Sequence, residues 1–418
     1  AINALDDAIT KPYKNTVLVY NGTYYENIII NKTAWIIGES ADIVVINGTG
    51  ETVISLNEAD DIIIEGLTVT YGKSGVYLYN AEGVTIHDCI ITKNIEHGIF
   101  AYTNKSEKNI NRLTLYECDI SANGANGIYA YAPSAWSYCD HWMVSYNNIT
   151  ANNGYGINTF THHGNSYCDH WSVKGNNIKL NKKGGIYAYT YNARRWGWQI
   201  CDNYITENKG HAIEFYGYLK GIPDSCPWTI LGNIITNNEG SGIYTHLHSV
   251  AIDHVTLTVS NNNITDNKEY GVYAYDRAWV ITNNSITSNQ FGIYLLGSNH
   301  ILRGNRVNNN TYNFGVTGSC IHEVDSSNTV NGKPIVYLED VSDVEIREAG
   351  QIILINCNNV TINKVKISYT DVGIEFWNTS NSKIINSNLS NNRYGLYIIS
   401  SSYNIIQNNY IKNNICLL

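Results

Sequence analysis

The sequence predicts an all-β fold, a parallel β-solenoid of roughly 16 coils. Three observations predict it. First, one phrase keeps returning: Asn94-Ile-Glu-His-Gly98-Ile-Phe-Ala-Tyr102, then Asn123-Gly-Ala-Asn-Gly127-Ile-Tyr-Ala-Tyr131, then Asn152…Gly156, Asn181…Gly185, Asn208…Ala212, Asn238…Gly242 and Asn267…Gly271. The steps between the glycine positions are 29, 29, 29, 27, 30 and 29 residues, and a fixed period in this range marks a repeat architecture. Second, each glycine opens an alternation of the type Ile-Tyr-Ala-Tyr, which is the period-2 pattern of a half-buried strand. Third, a second short strand precedes each phrase, such as Leu113-Thr-Leu-Tyr116, and no segment carries a convincing helical period. Asn and Gly mark the bends, where φ is positive or a side-chain amide bonds nearby backbone. Each coil then adds one rung to each sheet, about 4.8 Å along the axis.

Taken in order, residues 1–10 place Ile2, Leu5 and Ile9 on one helical face, a short amphipathic helix that would plug the first coil. Strands follow at 16–20, 28–30, 35–37 and 43–46. The step is 23 from Gly75 to Gly98, 23 from Gly292 to Gly315 and 22 from Gly373 to Gly395. The middle coils, about 98–271, are therefore longer by six or seven residues, placed as loops 103–112, 132–141, 161–170, 190–198, 217–228 and 247–254. Equal spacing stacks these loops along one flank, which holds Trp136, Trp142, His162, His163, Trp171, Arg194, Arg195, Trp196, Trp198, Trp228, His246 and His248. The main coils run over 11–317, an irregular excursion over 318–348, and further coils over 349–418, which stop mid-coil without a visible cap. The whole reads as a single solenoid, 1–418, because a solenoid grows without needing a new core.

Composition bounds the function. Charged residues are only 15%, Met occurs once and Tyr 33 times, an extracellular type of composition. A net charge of −9 argues against a nucleic-acid partner. No apolar run is long enough for a transmembrane segment. No signal peptide is visible, so one was removed or never existed. Eleven Asn-x-Ser/Thr sequons occur, among them Asn21, Asn31, Asn47, Asn104, Asn148, Asn263, Asn309 and Asn388, permissive for glycosylation on a secreted protein.

The opening Ala1-Ile…Val19-Tyr-Asn-Gly-Thr-Tyr-Tyr-Glu-Asn-Ile28 resembles the N-terminal cap and first coil of right-handed parallel β-helix proteins of the pectate-lyase-like superfamily. The repeat Asn-x-Ile-x-x-Asn-x-x-x-Gly-Ile-Tyr resembles that of NosD-like surface proteins, abundant in methanogenic archaea. So do Ser327-Asn-Thr-Val-Asn-Gly-Lys-Pro-Ile335 and Ala349-Gly-Gln-Ile-Ile-Leu-Ile-Asn-Cys357. The resemblance spans nearly the whole chain and implies a right-handed β-helix. It does not choose a function, because such repeats serve lyases, hydrolases, epimerases, copper-site maturation factors and envelope proteins.

Four constellations bear on function. Tyr77, Phe100, Tyr129, Tyr187, Tyr244, Tyr273, Tyr294 and Tyr397 share one outward position, and Tyr79, Tyr102, Tyr131, Tyr189 and Tyr275 the position two residues on. Stacked aromatics can stabilise a sheet face, bury against another subunit, or form a sugar-stacking platform. Cys89 and Cys118, and Cys139 and Cys168 within the duplicated Ser-Tyr-Cys-Asp-His-Trp, are each 29 apart and candidates for disulfides between adjacent rungs. Nine cysteines leave one over, and Cys416 is the candidate for an intermolecular bond. The histidines of the flank carry no C-x2-C or H-x3-H signature, so no metal or cofactor is expected. A polysaccharide enzyme needs carboxylates facing one groove; the candidates Asp140, Asp169, Arg194 and Arg195 on the Trp/His flank are scattered one or two per coil.

The reading these features favour is a non-enzymatic structural subunit of an extracellular archaeal sheath or surface layer. It would polymerise with copies of itself through amyloid-like stacked strands, aromatic faces and disulfides, with cell-surface glycans as a second class of partner. The alternatives are a secreted carbohydrate-active enzyme (lyase, hydrolase or epimerase) using the Trp/His flank, and a NosD-like binding module.

Overall fold

Alternating side chains that recur once per coil can all be buried only if like positions stack. The computed structural model has that arrangement. It describes residues 15–104, 110, 112–134, 136–162, 166, 168, 170–193, 197–219, 228–249, 257–276, 278–318 and 321–416. The expected helix at 1–10 lies outside them. The chain, read above as one solenoid, divides into two compact units, residues 1–240 with 246–255 and residues 241–245 with 256–418.

In the first unit each coil gives one strand to each of three parallel sheets. In the third sheet Ile99 pairs with Ile128, Ile128 with Ile157, Ile157 with Ile186 and Ile186 with Ile213. Gly127 and Gly156 therefore sit one rung apart, as the period requires. The second sheet carries its own isoleucine column, Ile91, Ile120, Ile149, Ile178 and Ile205, and all ten of these isoleucines are 0% exposed.

Two corners of each coil are built the same way. The residue entering the corner is left-handed, as at Lys93 (φ 57°), Ala122 (54°), Ala151 (55°) and Leu180 (59°). The next residue is the ladder Asn, fully buried. Asn123 N and Nδ2 donate to Asn152 Oδ1 at 3.1 and 3.0 Å, and Nδ2 also donates to Ile91 O at 3.1 Å. Asn152 repeats this toward Asn181 Oδ1 and Ile120 O, and Asn94, Asn181, Asn208 and Asn238 continue the column. The amide geometry, not a positive φ, is thus why Asn is used. The repeat glycine has a related reason. A Cβ on Gly127 would lie 2.7 Å from Gly156 O and 2.9 Å from Asn152 Nδ2, so glycine lets two rungs close on the ladder.

The second corner holds another ladder, Asn147, Asn176, Asn203 and Asn233. Cys89 and Cys118 occupy its earlier rungs. Cys118 N donates to Asn147 Oδ1 at 3.0 Å, and its Sγ points to Ile86 O and Tyr116 O as an amide would. Both are free thiols here.

The second unit opens with coils of the same kind, including Leu257–Ser260, Trp279–Thr282 and Ile301–Arg303 in one sheet. Its ladder runs Asn267, Asn289, Asn310, Asn313. The excursion expected over 318–348 contains a β-hairpin: Thr329–Val330 pairs antiparallel with Lys333–Glu339. Its turn is Asn331 (φ 50°) and Gly332 (φ 78°), the pair that two left-handed turn positions favour. Lys333–Glu339 then starts a second stack, pairing in parallel with Gln351–Ile355, which pairs with Val372–Trp377 and that with Tyr394–Ile399. Ile352, Leu354, Ile362, Ile374, Phe376 and Ile384 form its core.

Candidate functional surface

The outward face of the third sheet in the first unit is a slab of rings. One column is unbroken over seven coils: Tyr79, Tyr102, Tyr131, Phe160, Tyr189, Tyr216 and His246, with centroids 6.0, 5.7, 5.7, 4.5, 5.9 and 5.1 Å apart. Beside it, Tyr77, Phe100 and Tyr129 stack at 5.3 and 5.4 Å. That column is interrupted by Asn158, whose strand partners are Tyr129 and Tyr187, and by Glu214, partner of Tyr187. Tyr155 stacks on Tyr187 at 4.8 Å. A third, shorter column includes Tyr191, Tyr218 and His248.

Rings packed this way exclude water from one another's phenols. Burial, with smaller like-charge effects, pushes the hydroxyls of Tyr77, Tyr129 and Tyr155 up to about 12 and that of Tyr187 further. These four phenols stay protonated at any physiological pH. The outer edges of the slab stay open to solvent: Tyr216, Tyr218 and Tyr191 are 41%, 45% and 46% exposed. The sequence reading found Tyr77, Tyr102, Tyr129, Tyr131, Tyr187 and Tyr189 in place. It missed Phe160, Tyr216 and His246, where the phrase changes to Asn-Thr-Phe and Thr-His. In the second unit Tyr244, Tyr273 and Tyr294 stack at 4.8 and 6.0 Å. Tyr397 departs from the expectation: it pairs with Glu375 in the second stack, after the hairpin has redirected the chain.

The Trp flank is a correction. Trp142, Trp171, Trp198 and Trp228 are each 1% exposed and stack inside the first unit at 4.3, 4.8 and 6.4 Å, with Phe215 edge-on to Trp228. Their indoles point inward because the corner position that holds Ile62 and Val84 in shorter coils must fill a wider coil here. Trp142, Trp171 and Trp198 donate to Ile110 O, Cys139 O and Cys168 O, tying each loop to the next coil. These four tryptophans are core, whereas Trp136 of the same flank is 51% exposed and Trp196 lies outside the described residues. Of the catalytic candidates, Asp140 is half-buried with its carbonyl accepting from Arg112 N; Asp169, Arg194 and Arg195 lie outside the described residues. His141 stacks on His170 at 4.6 Å. Cys139 and Cys168 are buried, and Cys416 is half-exposed. Asn21, Asn31, Asn104, Asn263 and Asn309 are exposed, whereas Asn47, Asn148 and Asn388 are half-buried. Asn148 has its amide tied to Asp119 and Asn177.

Two polar clusters were not anticipated. In the second stack Glu375 is 1% exposed and accepts from Trp377 Nε1 at 3.1 Å; burial raises its carboxyl to about 8. Asp371, raised by burial to about 6, faces Arg393 at 3.2 Å. Gly-Ile-Glu375 in place of Gly-Ile-Tyr was the available signal. Sealed from solvent, Glu375 cannot meet a polymer, so it acts on stability. In the first unit His87 lies between Asp88 (Nδ1 to Oδ2, 2.8 Å) and Glu65 (Nε2 to Oε2, 3.6 Å) with Tyr116 stacked on its ring.

The chain is similar to several known proteins. A cell surface glycoprotein of Methanothermus fervidus is 32% identical over 83 residues, 20% of this chain and 14% of the glycoprotein. The catalytic domain of a GH87 alpha-1,3-glucanase, solved with tetrasaccharides, superposes with a TM-score of 0.53 at 13% identity, covering 78% of this chain and 66% of that one. The A-module of the mannuronan C-5 epimerase AlgE4 of Azotobacter vinelandii gives a TM-score of 0.42 at 13% identity over 100% of this chain and 91% of that one. At such identities the glucanase likeness concerns the fold alone. A family model described as "Right handed beta helix region" matches residues 9–194 and 248–349. The match covers more than half of the chain, which belongs to the right-handed beta helix family.

Proposed function

We propose that this chain is a structural component of an archaeal cell surface, a subunit that associates with copies of itself through its aromatic face. One observation carries the reading: the unbroken seven-ring column from Tyr79 to His246 on an outward sheet face. A half-buried aromatic slab of that length is unusual on a monomer and is the kind of surface that a second copy covers. The similarity to the Methanothermus cell surface glycoprotein supports a place at the cell surface, and five exposed sequons are compatible with it. The enzymatic alternative drew on a Trp-lined groove, and the burial of Trp142, Trp171, Trp198 and Trp228 weakens that support.

Negative-stain electron microscopy of the purified chain tests this. Ordered tubes, hoops or sheets are expected, lost when Tyr131 and Tyr189 are both replaced by Ser and retained when Asp140 and Asp169 are replaced by Asn. A dispersed monomer that cleaves uronic-acid polymers would refute the reading. Loss of order on adding reductant would add the disulfides, Cys416 included, to the contacts between copies.

A further inference from the structure

We propose that His246 and His248 form a two-imidazole binding site for a divalent late transition-metal ion, Cu2+ or Zn2+. Both lie on the strand Ile243–Ser249. Alternate residues of a strand project to the same face, and Leu247 between them is 3% exposed, anchored inward. The two Nε2 atoms are 3.1 Å apart. With metal–nitrogen bonds of about 2.0–2.1 Å, that separation subtends about 100° at a shared ion. This lies between the right angle of a tetragonal Cu2+ site and the tetrahedral angle of Zn2+.

The rings are held before any ion arrives. His246 stacks on Tyr216 at 5.1 Å and 11°, and His248 on Tyr218 at 5.0 Å and 24°. The two imidazoles meet edge to face, 80° between planes, so that their Nε2 corners converge. Without an ion, the contact is satisfied by one Nε2–H donating to the other ring's lone pair. When that proton moves to Nδ1 of its own ring, both Nε2 atoms become lone-pair donors and both rings stay neutral. Both side chains are half-buried, so the site is partly open, and two protein ligands leave coordination positions for water or for a donor on another molecule. Within the first unit two of the ring columns thus arrive at a pair of imidazoles, which the surface-assembly reading does not require.

The test is titration of the chain with CuCl2 and, separately, ZnCl2, followed by calorimetry. One equivalent is expected that disappears in the double variant His246→Gln/His248→Gln. Each single variant is expected to weaken it by at least the order of 10- to 100-fold that losing even a supporting partner costs. The variant His87→Gln should leave this equivalent unchanged, which separates it from the Glu65–His87–Asp88 cluster. Electron paramagnetic resonance of the Cu2+-loaded chain should report coupling to two nitrogens, falling to one in either single variant. Unchanged stoichiometry and affinity in the double variant would overturn the proposal. So would a wild-type Cu2+ spectrum without nitrogen coupling, a readout that does not depend on any variant folding.

Discussion

The corners at Asn94–Asn123–Asn152–Asn181–Asn208 and those of the stack built from 333–416 solve one problem in two ways. In the first, each Asn Oδ1 accepts twice from the Asn of the preceding rung, and its Nδ2 donates both to a carbonyl of that preceding rung and to Oδ1 of the Asn that follows, so the column is continuous. In the second, Val360 N is met by Ser382 Oγ, Ser382 N by Asn404 Oδ1, Cys357 N by Thr379 Oγ1 and Thr379 N by Ser401 Oγ. A hydroxyl or thiol is enough to satisfy a corner N–H. A hydroxyl has one hydrogen to give, as Thr379 Oγ1 gives it to Leu354 O, whereas the amide has two and reaches the rung before it and the rung after it at once, so the Asn column couples many coils.

The largest expected effect follows from that difference. Asn152→Ala leaves several buried groups unmet, Asn123 N and Nδ2 and Ile120 O among them. At about 1–3 kcal/mol for each orphaned group, a loss on the order of 3–5 kcal/mol is expected in denaturant unfolding. Ser382→Ala should cost only about 1 kcal/mol. Equal losses would erase the contrast.

Buried acids and bases sharpen the comparison through pH. Glu375 in the second stack has its carboxyl raised from 4.5 to about 8. The native state therefore holds a proton that the unfolded chain gives up, and its contribution is present below pH 4.5 and lost as pH rises through about 8. Glu375→Gln should gain on wild type progressively across that window, by on the order of a few kcal/mol at its alkaline end. In the first unit His97 is lowered by burial from 6.5 to about 4, so its contribution is present above pH 6.5 and lost as pH falls toward 4, the opposite sign. Urea titrations of wild type, Glu375→Gln and His97→Gln at pH 4 to 8.5 read both.

Gly127→Ala should be next, about 1–3 kcal/mol, because a Cβ there meets Gly156 O and the ladder amide. The natural Ala212 at the corresponding position of a later coil shows that one coil has adjusted to a methyl group, so the cost is local. The smallest effect belongs to Cys118. As a ladder thiol it should be replaced by Asn at little cost, within about 0.5 kcal/mol, and by Ala at about 1 kcal/mol. A loss of 2–5 kcal/mol with either, roughly that of breaking a disulfide, would point to a bond with Cys89 instead.

Much of this was legible in the sequence, because a period states its own register. The 29-residue step by itself puts Ile, Tyr and Asn into columns. What the phrase does not contain was harder to read. Phe160 and His246 continue a tyrosine column under changed neighbours. The inward Trp142, Trp171 and Trp198 follow loops, and loop spacing does not tell inside from outside. The Asn331–Gly332 turn was readable as a hairpin signal and went unread among so many Asn and Gly residues. Glu375 shows that a single carboxyl in a tyrosine position can mark a sealed junction instead of an open site.

The central claim is that residues one period apart touch and share energy. A double-mutant cycle on Asn123→Ser and Asn152→Ser measures it directly, with Asn123→Ser and Asn208→Ser as the distant pair. The account predicts a coupling of about 1 kcal/mol or more for the adjacent rungs and additivity, within about 0.5 kcal/mol, for the distant pair. Additive losses at Asn123 and Asn152 would contradict it.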